Sequence, residues 1–162
     1  SLYFILHKML YEFMGGNTMP YMDFNQHNRY SNTLIKDIEK AINGEYSAIN
    51  CYEKLANMAP NRAEQNQIIE IRNDEIRHFQ DFVQIYIYLT GKQPKPQITE
   101  ECPNMYLQGL EFAIQDEQKT VDFYLDIADE TSDAYIKKLL QRAAADEQNH
   151  AVWFLYYFTK LK

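Results

Sequence analysis

A chain of 162 residues and 19.3 kDa is the size of one domain and is long enough to bury a substantial core. Its net charge of −7 and pI near 5.1 exclude the basic face that nucleic-acid phosphates need. Two cysteines, Cys51 and Cys102, form no C-x-x-C, so neither a zinc ribbon nor an iron–sulfur centre is encoded, and a reducing, cytoplasmic location is expected.

Five Gly and five Pro, set against abundant Leu, Ile, Ala, Glu, Lys and Gln, favour an all-α fold. Residues 1–30 form an N-terminal segment. Its apolar run, residues 1–14, breaks at Gly15-Gly16-Asn17 and contains His7, Lys8 and Glu12. It is shorter than the ~20 residues of a membrane span and lacks a secretory cleavage site. The expectation is a short helix packed on the body of the protein or on a partner, and no membrane span.

From Ser31, a good N-cap residue, a helical pattern runs to about Met58, with Leu34, Ile38, Ala41, Glu45, Ala48, Tyr52 and Leu55 on one stripe. Ala59-Pro60 ends it. Asn61 and Glu64 resemble a capping box for a second helix, which reaches about Thr90 along Ile68, Ile71, Glu75, His78, Phe82, Ile85 and Leu89. A polar, proline-bearing connector follows, from Gly91 to about Pro103. The third helix extends to about Asp129 with the stripe Tyr106, Leu110, Ala113, Glu117, Thr120, Tyr124 and Ile127. Thr131 and Ser132 are expected caps for the fourth, whose stripe is Leu140, Ala143, Glu147, His150, Phe154, Tyr157 and Leu161.

A shift of 72 residues takes Ala41, Ile42, Glu45, Tyr52 and Ala56 onto Ala113, Ile114, Glu117, Tyr124 and Ala128, and takes Asp74, Glu75 and His78 onto Asp146, Glu147 and His150. A register shared without a gap predicts two helical hairpins related by a pseudo-two-fold axis. If the hairpins turn near residues 60 and 132, each glutamate lies 15 residues from its turn. At ~1.5 Å per residue that is ~22 Å, so all four meet at one level. Thirteen connector residues reach ~40 Å, close to the ~42 Å of a 28-residue helix, which predicts a long crossover joining the hairpins.

Each Glu-x-x-His sets an oxygen and a nitrogen on one helix face. Four carboxylates and two imidazoles on core stripes are costly to desolvate together, and two divalent cations cancel the four negative charges. Oxygen and nitrogen ligands without a thiolate suit iron or manganese better than structural zinc. Glu39 and Glu111 also repeat but fall about 120° around the helix, where solvated roles are expected. For His7, His27, Cys51 and Arg77 the sequence identifies no partner, and surface or packing roles are expected.

From about residue 31 to 160 this arrangement resembles the ferritin-like di-iron carboxylate superfamily, in which one Glu from each of two helices joins Glu-x-x-His from the other two. The fold it implies is a four-helix bundle of two hairpins with a long crossover, over residues 31–162. The Glu-x6-Tyr-x3-Ala order in helices one and three is most similar to the rubrerythrin-type group. The resemblance implies two iron ions, with manganese the alternative: Glu75 and Glu147 bridge or flank them, Glu45 and Glu117 are terminal ligands, and His78 and His150 each cap one. It implies that Asp74 and Asp146 each orient the histidine of the opposite hairpin, and that Tyr52 and Tyr124 hydrogen-bond the glutamates.

The implied activity is that of a non-haem di-iron oxidoreductase, oxidising Fe(II) or reducing O2 or H2O2. Iron storage and a manganese catalase-like site are the alternatives. Two features depart from the group: Thr120 stands where a further Glu is frequent, and no rubredoxin tail follows Lys162. An external electron donor is therefore expected, and a homodimer is the expected assembly.

Overall fold

The computed structural model describes residues 31–161; the expectations for residues 1–30 and for Lys162 lie outside them. The described residues form four helices, α1 (Asn32–Met58), α2 (Arg62–Thr90), α3 (Tyr106–Glu130) and α4 (Ala134–Lys160), with no strand among them. Local chemistry sets their ends. Ser31 Oγ accepts the Leu34 N–H at 3.1 Å. Asn61 Oδ1 accepts the Glu64 N–H while its Nδ2 donates to the Glu64 carboxylate, both at 3.0 Å, a variant of the expected capping box in which the return bond goes to the cap's side chain. Gly91 ends α2 in the left-handed region, φ 67°, with its N–H on the Ile87 carbonyl, a conformation open to glycine at little cost.

The start of α4 differs from the expectation of Thr131 or Ser132. Asp133 takes the cap, its carboxylate accepting from the Tyr135 and Ile136 N–H groups at 2.9 and 3.0 Å, while Thr131 Oγ1 accepts the Asp133 N–H. An ionised acceptor suits the positive end of the helix dipole better than a hydroxyl does. At the other end Leu161 is 44 % exposed rather than on the core line, and Tyr106 and Thr120 are half-buried.

α1 packs against α2 and α3 against α4, and the two hairpins meet along α1–α3 and α2–α4. The connector runs to Met105, two residues beyond the expected Pro103. It climbs parallel to α1: the Gln97 N–H donates to Asn43 Oδ1, the Thr99 N–H to Ser47 Oγ, and Lys54 Nζ to Asn104 Oδ1. This is the predicted long crossover. Cys102 in it is disulfide-bonded to Cys51 of α1, so Cys51 has a covalent partner that no spacing motif announced.

The apolar core falls into two clusters. One gathers Ile38, Ile42, Phe82, Ile85, Ile127 and Leu140, the other Leu55, Ile68, Ile71, Leu110 and Phe154, all at most 3 % exposed. Burying side chains of this size contributes about 1.5–3 kcal/mol each. That sum holds in place a central belt of six buried ionisable groups.

Candidate metal centre

The belt consists of Glu45 on α1, Glu75 and His78 on α2, Glu117 on α3, and Glu147 and His150 on α4, each at most 4 % exposed. Helical spacing stacks each His over its Glu: His78 Nδ1 lies 3.2 Å from Glu75 Oε2, and His150 Nδ1 3.1 Å from Glu147 Oε2. The pseudo-two-fold then interleaves the hairpins. Glu45, Glu75, His78 and Glu147 bring one ligand-type atom each within 4.8 Å of one another, and so do Glu75, Glu117, Glu147 and His150. Glu75 and Glu147 belong to both groups. The six residues singled out by the sequence are thus gathered into two overlapping four-residue clusters.

Both imidazoles present Nδ1 inward and Nε2 outward. His78 Nε2 meets Asp146 Oδ2 at 3.2 Å and His150 Nε2 meets Asp74 Oδ2 at 3.1 Å, each across the hairpin boundary. A carboxylate on Nε2–H keeps the proton there and aims the Nδ1 lone pair at the centre. The tyrosines cross over as well: Tyr52 Oη donates to Glu117 Oε1 at 2.5 Å, and Tyr124 Oη donates to Glu45 Oε1.

Two atoms remain orphaned. Glu75 Oε1 and Glu147 Oε1 are buried without a hydrogen-bond partner. His150 Nδ1 is 2.9 Å from the first and His78 Nδ1 3.0 Å from the second, close enough for charge attraction but not aligned as hydrogen bonds. Buried carboxylate oxygens of this kind are costly unless something else binds them. Oxygens and imidazole nitrogens facing inward, two oxygens orphaned and no thiolate among them, fit a pair of divalent transition-metal ions.

Without metal, the centre neutralises itself by taking up protons. Burial, with the neighbouring Glu147 and Glu75 carboxylates, pushes Glu45 and Glu117 well above the ordinary carboxylate range. Burial also raises Glu75, but His150 and His78 outweigh it and hold its pKa below the ordinary value. Burial opposes the charge on His78, yet the Glu147 and Glu75 carboxylates that its Nδ1 faces stabilise the protonated ring and carry it up to about 12; His150 is raised for the same reason, chiefly by Glu117. Burial likewise pushes Tyr52 and Tyr124 well above the usual phenol range, so both stay protonated as donors.

A cavity of about 200 Å³ leads from the surface to this belt between α1 and α3. All four glutamates line it, with exposed Lys40 and Lys119 and, from the crossover, Thr99 and Glu100 toward solvent. Thr120, where the resembled group has a Glu, also lines it, its hydroxyl donating to the Asp116 carbonyl. Asp116, beside the ligand-type Glu117, is held up to about 7 by burial and by the adjacent Glu100 carboxyl.

Four participants escape the repeat. Arg77 bridges Asp74 Oδ1 at 2.7 Å and Asp146 Oδ2 at 3.8 Å, and Arg142 grips Asp146 through Nη2 at 2.8 Å and Nε at 3.1 Å. Their spacings, three after Asp74 and four before Asp146, were the available signal. Asp116 and Glu100 had none. Glu39 and Glu111 are exposed.

The sequence model of the rubrerythrin family matches residues 36–156, a span that holds all six central residues. An uncharacterised Bacillus subtilis (strain 168) protein, YhjR, is 56 % identical over 124 residues, which cover 76 % of this chain and 86 % of that protein. A solved structure of a hypothetical protein from Pyrococcus furiosus superposes with a TM-score of 0.69 at 19 % identity, covering 78 % of this chain and 88 % of that one. That likeness concerns the fold alone.

Proposed function

The chain belongs to the rubrerythrin family of ferritin-like proteins, and on that premise we propose that it is a non-haem di-iron oxidoreductase that reduces H2O2 or O2 and oxidises Fe(II). The observation that carries this reading is the pair of clusters sharing Glu75 and Glu147, each with a buried, orphaned Oε1. One ion would be held by Glu45, Glu75, His78 and Glu147, the other by Glu75, Glu117, Glu147 and His150. Two iron ions there would supply the two electrons that cleavage of an O–O bond requires.

The protein's own part is positioning and proton supply. Asp74 and Asp146 fix the imidazoles, and Tyr52 and Tyr124 hold Glu117 and Glu45 by hydrogen bonds that cross between hairpins. Asp116, with a pKa near 7, holds and returns a proton on the wall of the cavity that the four glutamates also line. Phe82, Phe154 and the aliphatic clusters keep bulk water from the other sides. Electrons come from an external donor molecule, and a homodimer in the cytoplasm is part of the same reading. No described helix is long and apolar enough to cross a membrane.

The test is metal analysis of aerobically and anaerobically purified protein, then H2O2 and O2 consumption with Fe(II). Two iron ions per chain and peroxide turnover that vanishes in Glu75→Ala and His150→Ala are expected. Full turnover in those variants refutes the assignment, manganese in place of iron redirects it to a catalase-type reaction, and a shell-sized assembly redirects it to storage.

A further inference from the structure

The crossover is fastened to α1 at four successive points on one helix face: Asn43, Ser47, Cys51 and Lys54 hold Gln97, Thr99, Cys102 and Asn104 in order. Three of these links are hydrogen bonds, two of them exposed and one to the buried Ser47 hydroxyl, each worth about 0.5–1.5 kcal/mol net. Only the disulfide is covalent. The fastened stretch carries Thr99 and Glu100, which form the outer wall of the cavity descending to Glu45, Glu75, Glu117 and Glu147. Glu100 also reaches Asp116 on α3, so the strap spans the gap between the two hairpins where the cavity opens. Cys51 is 3 % exposed, whereas Cys102 is half-buried, so of the two residues Cys102 is the one on the solvent side of the bond.

We propose that the Cys51–Cys102 disulfide is a reducible clasp that holds the crossover across the channel to the carboxylate–imidazole centre, and that a dithiol reductant opens the channel by breaking it. The inference rests on the metal-centre reading for what passes through the channel, but the clasp itself does not. A thiolate of the reductant attacks Cys102 Sγ, the S–S bond breaks, and Cys51 leaves as a thiolate that takes up a proton. The reductant's second thiol then displaces Cys102, which is protonated in turn. The protein gains two electrons and two protons, and the reductant ends as its own disulfide. With the clasp open, residues 97–104 keep only their hydrogen bonds and the packing of Cys102 on the apolar cluster around Leu55 and Leu110, and local opening costs less. In a reducing compartment a disulfide of this kind serves as a transient, redox-sensing link.

The experiment compares the full chain in three forms: oxidised, reduced with dithiothreitol and freed of it anaerobically, and carrying Cys102→Ser. Hydrogen exchange at the Gln97 and Thr99 amides, read on metal-free protein, should accelerate on the order of tenfold or more in the reduced and Cys102→Ser forms. Mn(II) is then loaded and extracted with EDTA. Two ions per chain are expected in every form, with extraction on the order of tenfold faster once the clasp is open. Unchanged exchange, or faster exchange with unchanged extraction, overturns the clasp while leaving the metal centre standing. Failure of every form to bind Mn(II) or Fe(II) refutes the metal centre and the gating role together, and is recognised by stoichiometry rather than rate.

Discussion

Asp146→Asn removes one charge and almost no volume from a residue that meets His78 Nε2 at 3.2 Å and is itself gripped by Arg142 at 2.8 Å. The asparagine oxygen still accepts from Nε2–H, but without a formal charge it makes the imidazole a poorer donor through Nδ1. Loss of such a support typically weakens metal binding ~10–100-fold, or about 1.4–2.7 kcal/mol. The geometry adds a sharper requirement. His78 belongs to only one of the two clusters, so only one of the two ions should weaken. Asp74→Asn, acting on His150, should weaken the other, and the double variant both. Competition titration against a chelator of known affinity resolves the two steps. Two unchanged steps in Asp146→Asn, or equal weakening of both, would show that the aspartate does not act through His78.

Glu75→Gln removes a carboxylate common to both clusters, so both ions should weaken and metal content should fall below that of either Asp variant; two retained ions would contradict the shared role. In metal-free protein at pH 7, raised pKa values keep His78, His150, Glu45 and Glu117 protonated, so loading two divalent ions should release about four protons. Calorimetry in buffers of different ionisation enthalpy measures this number, and a value near zero refutes the self-neutralised centre. The same shifts give the metal-free protein a defined pH window. The His78 contribution to stability is complete below ~6.5 and is lost as pH climbs through about 12, whereas that of Glu75 is present above ~4.5 and is lost as pH falls through its lowered folded value. Denaturant midpoints across pH should therefore be lost at both extremes, and a midpoint still rising toward pH 12 would contradict the His78 shift. Tyr124→Phe strips the hydroxyl from buried Glu45 and should cost ~1–3 kcal/mol in urea titration of metal-free protein; a change below ~0.5 kcal/mol would mean that the hydroxyl is not satisfying that carboxyl.

Repetition made much of this molecule readable. A stripe such as Ile68, Ile71, Glu75, His78, Phe82 has one geometric solution, a buried helix face, and the same stripe 72 residues later sets the partner hairpin without reference to any fold. The crossover is readable from length alone, since the thirteen residues expected from Gly91 to Pro103 match the length of a helix rather than a short turn. Features outside the repeat stayed hidden. Cys102 sits in the connector, which has no second copy, and a pair 51 residues apart carries no spacing signal. Thr131, Ser132 and Asp133 are three adjacent cap-forming residues, so the sequence alone does not single out the cap; the path of the backbone and the carboxylate's fit to the helix dipole select Asp133. Arg77 and Arg142 break the symmetry, with Asn149 and Glu70 at the positions 72 residues away, so the repeat carries no sign of them.

The exchange of parts between hairpins explains why the repeat is needed at all. Within one hairpin, Glu45, Glu75 and His78 supply three ligand-type groups, and the fourth, Glu147, comes from the other; the reciprocal debt is met by Glu75. Each imidazole is steadied by an aspartate from the opposite hairpin, and so is each outer glutamate by a tyrosine. A single hairpin would therefore present an incomplete cluster with its histidine unoriented and its glutamate without a donor. The seam between hairpins carries these polar crossings in a central belt between two apolar clusters that each span both hairpins, and the cavity reaches the seam at that belt. Covering that opening falls to a segment outside both hairpins, which is the place the crossover takes along α1.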